Sequence, residues 1–181
     1  MTRRRLLLWL PLAFALHNAE EALTLARAFP VVRERAPALA VAVLGPADPG
    51  HAVVLTALGV ATLLPLVVAL WALARPASVA ARWAVLLVTT AFLVNAASHV
   101  ATALWLHAGH RTPTLGVWYA PGLVTAVLVN LPLTLHVLRR AARERWLSSR
   151  GQWRWLLPAA ILLHGPGVLG AWWLGRWLGE R

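Results

Sequence analysis

The chain has 181 residues, 60% of them hydrophobic and 13% charged, with a mean hydropathy of +0.67. A soluble domain of this length would be nearer half apolar and a quarter charged, so a water-soluble globule is excluded. The net charge of +11, from 17 basic and 6 acidic residues, does not mark a nucleic-acid binder. The arginines fall between apolar windows rather than along one helix face, as phosphate recognition would need. Cysteine is absent, which excludes disulfides and thiolate metal sites.

In chain order, the first apolar window covers 6–28 and is interrupted by His17, Glu20, Glu21 and Arg27. Arg3-Arg4-Arg5, the apolar run after them and Ala13-Phe14-Ala15 also have the outline of a cleavable signal. The apolar character resumes beyond the polar cluster, which suits a retained helix better. Four further windows, 52–74, 83–106, 117–138 and 155–175, contain no Asp, Glu, Lys or Arg. Each is long enough as a helix to cross about 30 Å of hydrocarbon. The expectation is an all-α integral membrane bundle of five transmembrane helices in a single domain, 1–181.

The segment 29–51 between the first two windows carries Pro30, Pro37, Pro46 and Pro49, which break regular helix. Its apolar stretch, 38–44, is expected to lie in the interface over one end of the bundle. The 11 tryptophans fall at the window edges, as in Trp71 and Trp83, Trp105 and Trp118, and Trp172, Trp173 and Trp177. Such belts form where an amphipathic ring meets headgroups. Of the 17 arginines, 11 lie in the amino terminus, the second loop and the 139–154 loop, and 6 lie elsewhere. The positive-inside tendency then puts the amino terminus in the cytoplasm and the carboxyl terminus outside. The expected location is a multi-pass protein of the cell's inner membrane, with the lipid bilayer as its surroundings and no nucleic-acid partner.

The chemistry concentrates in the first window. An ionised carboxylate at bilayer depth costs roughly 3 kcal/mol on insertion scales, yet two of the six acidic residues stand there. His17, Glu20 and Glu21 are spaced i, i+3 and i+4, on one side of a helix. At 3.6 residues per turn the two glutamates flank His17 on opposite sides, about 100° apart. Asn95 and His99 repeat the i, i+4 spacing in the third window. Tyr119-Ala120-Pro121-Gly122, with Thr125 after it, opens the fourth, and His164 before Gly165-Pro166-Gly167 is expected to mark a loosened stretch of the fifth. At 1.5 Å per residue, His17 and Glu20 lie about 16 and 21 Å from the inner boundary, His99 about 24 Å and His164 about 14 Å. The first-helix cluster, His99, and Tyr119 with Gly122, which enter at the outer face, share a layer in the outer half of the membrane, and His164 sits lower.

Two imidazoles and two carboxylates are a complete donor set for zinc or a di-iron-type centre, so His17, Glu20, Glu21 and His99 are candidate metal ligands. His17-x-x-Glu20 reverses the Glu-x-x-His order of di-iron bundles. Two metal-free readings stand beside ligation. In one, a neutral glutamate serves as a general acid; in the other, Glu20 or Glu21 bonds His99 or Asn95 in a purely structural polar core. His51 is placed at a helix start, His107 and His110 are secondary metal candidates in the third loop, and His136 is a satisfied terminal histidine. Asn130 and Pro132 suggest a kink in the fourth helix.

His17-x-x-Glu20-Glu21, Asn95-x-x-x-His99 and Tyr119-x-Pro121-Gly122, in that order, resemble the HXXEE family of small bacterial membrane proteins. The resemblance spans roughly 6–125. It singles out the same residues as the depth argument and implies no reaction, because the family is one of unknown function. The reading that follows is a membrane-embedded, metal-dependent hydrolase or oxidase acting on a lipid or isoprenoid. Zinc or iron would sit on the His/Glu set, and Glu20, Glu21, Asn95 and Tyr119 would be the catalytic candidates. The alternatives are a metal-free isomerase or cyclase, a proton-coupled transport component, and a structural protein whose polar core specifies helix packing.

Overall fold

A computed structural model describes residues 2–45, 49–107, 120–147 and 150–179. Among these residues eight α-helices succeed one another: α1 (Arg3–Thr24), α2 (Phe29–Arg35), α3 (Pro37–Leu44), α4 (His51–Ala74), α5 (Val79–His107), α6 (Leu123–Thr125), α7 (Leu131–Arg143) and α8 (Arg150–Gly179). A short 3₁₀ turn, Leu25–Arg27, follows α1, and a π turn, Ala126–Asn130, joins α6 to α7. There is no strand among the described residues. Tyr119, His110 and the side chain of His107 lie outside what is described.

Among the described residues four rods are long and apolar enough to cross a membrane: His51–Ala74, Val79–Trp105, Leu123–Arg143 and Gly151–Leu178. The expectation of five is met for these four. The fifth candidate, α1, has 22 residues and spans about 33 Å, but His17, Asn18 and the two glutamates make it less apolar. In the Gly151–Leu178 rod only 17% of the most apolar stretch is buried within the protein. Exposed leucines and valines ring the bundle, among them Leu63, Val67, Leu128 and Leu162. Apolar surface of that extent is not left facing water; it suits a hydrocarbon solvent.

Packing divides the bundle into layers. At one end, Leu6, Leu7 and Leu10 of α1 meet Val85 and Leu86 of α5, Val137 of α7, and Trp146 and Leu156. Trp146 is clasped there, with the Arg3 guanidinium 4.5 Å from its ring centroid and its indole N–H donating to Glu144 at 2.8 Å. At the other end, Phe29 of α2 and Ala40 of α3 pack on Val54 and Ala57 of α4 and on Trp172 of α8. α2 and α3 thus cover that end, although Pro30 and Pro37 do not interrupt helices there. They stand in the first turns of α2 and α3, where a missing N–H costs nothing. α8 runs unbroken through Gly165-Pro166-Gly167 to Gly179, although Pro166 has no N–H to offer the Leu162 carbonyl.

The π turn has a local cause. Pro132 has no N–H to offer the carbonyl four residues back, and its ring crowds that carbonyl. The Leu131 N–H reaches instead to the oxygen of Ala126, five residues back. The expected irregularity at Asn130 and Pro132 is therefore an added residue in the helix, which leaves Asn130 fully buried.

Candidate metal centre

Between these two layers α1, α5 and the start of α6 converge on one glycine. Ala120, Pro121, Gly122 and Leu123 form a turn closed by the Leu123 N–H on the Ala120 carbonyl at 3.0 Å. Proline at the second position and glycine at the third suit a type II turn, which demands positive φ at the glycine. Gly122 has φ 76° and ψ −4°. A methyl group there would stand 2.6 Å from His17 Cε1, 2.8 Å from Glu21 Cγ and 2.9 Å from His99 Cε1. The missing side chain lets two imidazoles and a carboxylate close around the turn.

The three donors gather tightly. His99 Nε2 lies 3.5 Å from Glu21 Oε1, and His17 Nε2 lies 3.9 Å from Glu21 Oε2. The two rings meet edge to face with centroids 4.8 Å apart. One ligand atom from each of His17, Glu21 and His99 falls within 4.8 Å of the other two. Donors at about 2.0–2.1 Å from a tetrahedral zinc would be about 3.3 Å apart, so a small contraction would bring the set to ligation distance.

The second glutamate points elsewhere. Glu20 Oε1 accepts the Val124 N–H at 3.1 Å, and Oε2 accepts the Thr125 N–H at 2.7 Å and the Thr125 hydroxyl at 2.5 Å. A carboxylate on the first free N–H groups of a helix is an N-cap supplied from another part of the chain. The Thr125 hydroxyl, having spent its proton on Glu20, accepts from His17 Nδ1–H at 3.0 Å. That fixes the His17 tautomer and leaves Nε2, 3.9 Å from Glu21 Oε2, as the accepting nitrogen. The Asn95 amide donates to the same Nε2 at 2.8 Å. A metal-bound imidazole commonly has its other N–H held by a carboxylate, a backbone carbonyl or water, the place that the Thr125 hydroxyl takes here.

The structure therefore brings His17, Glu21, His99 and Asn95 together and sends Glu20 to the α6 backbone. Tyr119, named with them from the sequence, lies outside the described residues. His51 and His136 are exposed, away from the cluster. Thr125 and Gly122 stood in the sequence motif without a role, and Ser98 was not singled out at all. Thr125 relays Glu20 to His17. Gly122 makes room. Ser98 donates to the Asn95 carbonyl at 2.7 Å and lies 3.2 Å from His164 Nε2, which ties His164 to the edge of the site despite its shallower expected depth. Ser98 carried no advance sign, since Thr89, Thr90 and Thr102 are hydroxyls of the same window. Asn18, beside His17, bonds the Leu58 carbonyl at 3.0 Å and Thr62 Oγ1 at 2.7 Å, fastening α1 to α4.

A helical protein of membrane type, with a buried His/Glu cluster able to hold a metal ion, is the class that this fold and site define. The chain matches the family described as "Protein of unknown function with HXXEE motif" over residues 8–137, and it belongs to that family. No curated protein and no solved structure matches it.

Proposed function

We propose that the protein is a membrane-embedded metalloenzyme acting on an apolar lipid or isoprenoid substrate. A divalent ion, zinc or iron, would be held by His17, Glu21 and His99. Two histidines and one glutamate with a fourth position open are the donor set of catalytic rather than structural zinc sites. Such an ion supplies an activated water for hydrolysis, or in the case of iron an oxidising centre. Glu20 and Thr125 hold His17 in the ligating tautomer, and Asn95 lies where a substrate's polar end would meet the site. In this reading α1 crosses the membrane as a fifth span, with its amino terminus in the cytoplasm.

The observation that carries the proposal is the closure of three ligand atoms within 4.8 Å around Gly122. Metal analysis of the purified protein in detergent tests it. Near-stoichiometric zinc or iron that disappears in His99→Ala, but not in His136→Ala, is expected. Protein that binds neither metal at micromolar concentration would refute it. One observation favours a metal-free acid–base site instead: the His17 Nε2 lone pair already accepts the Asn95 amide. A metal must displace that amide, so Asn95→Ala should bind metal more tightly than the wild type if the first reading holds.

A further inference from the structure

A cavity of about 230 Å³ lies beside the cluster, among α1, α4, α5 and α8. Asn95 and His164 are the polar residues of its lining, which is otherwise aliphatic apart from Phe14 and Phe92. Its floor, on α5, is buried at Val88, Phe92 and Asn95. Its mouth lies between α4 and α8, where Leu64 and Val168 are about half exposed, at 42% and 51%. The room arises on α8 from Gly167 and Gly170: a methyl group added at Gly170 would meet nothing within 4 Å, and one at Gly167 only Leu163 Cδ1 at 3.6 Å. Asn95 belongs to both compartments, since its amide donates to His17 while its side lines the cavity. Ser98, one turn on, links His164 to the same stretch of α5.

We infer that this cavity seats one hydrocarbon tail, which enters sideways from the bilayer between α4 and α8 and presents its polar end to Asn95 and His164. Three observations select that occupant. The mouth opens on the flank of two membrane-length helices, where the surrounding solvent is itself hydrocarbon. The volume falls below the ~300–1,000 Å³ of sites for drug-sized ligands, and so suits a single slender chain rather than a fused-ring molecule. The polar groups lie only on the side facing the His/Glu cluster, which orients a tail with one polar end. The inference deepens the proposed function by locating the seat and entry route of the substrate's tail, and it rests on that reading only for what happens at the polar end.

Photolabelling of the full chain in lipid nanodiscs with a diazirine-tagged palmitate tests it. In the wild type, label should concentrate on peptides containing 60–65 and 163–174. Gly170→Leu and Gly167→Leu, which fill the cavity from positions with free space, should each reduce that label several-fold with unchanged metal content. Gly59→Leu, on the exposed side of α4, should leave it unchanged. Competition by unlabelled palmitate or by farnesol then assigns the tail as acyl or isoprenyl. Label spread evenly over the lipid-facing helices, or label equal in the wild type and both filled variants, would overturn the inference. Metal content is measured on the same samples, so failure of the tail site and failure of the metal centre are read separately.

Discussion

Gly122→Ala is the most incisive single change. The alanine would have to keep φ near 76°, a left-handed conformation costing roughly 1–2 kcal/mol for a residue with a Cβ. The new methyl would lie 2.6–2.9 Å from three side chains at once, and overpacking of a filled core costs typically 1–3 kcal/mol. Together these predict a loss of about 2–5 kcal/mol, shared between fold stability and site geometry. The cheapest relief is for the imidazoles of His17 and His99 to move apart, which spreads the donors. Each 1.4 kcal/mol borne by the site weakens metal binding tenfold, so a fall in affinity of one to two orders of magnitude is expected. The assay is competition for zinc against a chelator in detergent, alongside thermal melting. Gly59→Ala is the control: its Cβ would meet nothing within 4 Å on an exposed helical surface, and the change should be neutral or stabilising by up to ~1 kcal/mol. Wild-type affinity and melting temperature in Gly122→Ala would refute the claim that this glycine makes room for the cluster.

The two glutamates should separate cleanly. Glu21→Gln is expected to fold and lose metal, whereas Glu20→Gln, which weakens charge-assisted bonds to the α6 backbone worth about 1.5–3 kcal/mol, should lower the melting temperature first; the opposite pattern in metal content would refute the assignment. Asn130 is fully buried, and neither its Oδ1 nor its Nδ2 has a hydrogen-bond partner among the described residues. Asn130→Leu should therefore be neutral or stabilising by ~1–3 kcal/mol in denaturation assays, and marked destabilisation would count against that account. The Trp146 indole, and after it the Arg140 guanidinium at 2.5 Å, hold the Glu144 carboxyl below its usual range. This contribution is fully present above the ordinary glutamate pKa and is lost as pH falls through the depressed one. An acid titration of stability should thus lose part of its slope in Glu144→Gln, and an unchanged titration would refute the coupling. Reporter fusions at Arg145 and Arg181 should report inside and outside respectively; the reverse would invert the proposed topology.

The helical class and the approximate spans were legible in the sequence because the signal is local. Long windows without charge admit few other structures, and their tryptophan edges mark where each must end. The cluster was legible too, since desolvation forces His17, Glu20, Glu21, Asn95 and His99 inward wherever the helices run. What spacing could not assign was the division of labour between adjacent glutamates. Helical geometry put them about 100° apart, but what each would face depended on where α5 and α6 docked. The His164 contact depended likewise on where α8 docked against α5, because Ser98 and His164 stand 66 positions apart.

The sequence by itself determined that hydrocarbon would surround this chain and that its few polar groups would seek one another, because both follow from transfer free energies that each residue carries alone. Tertiary structure decided which atoms meet. Glu21 turns to His99 while Glu20 caps α6, and the turn at Pro121-Gly122 fits between two imidazoles. Those contacts join residues from 23 to 105 positions apart, and they exist only where three helices converge on a backbone without a side chain.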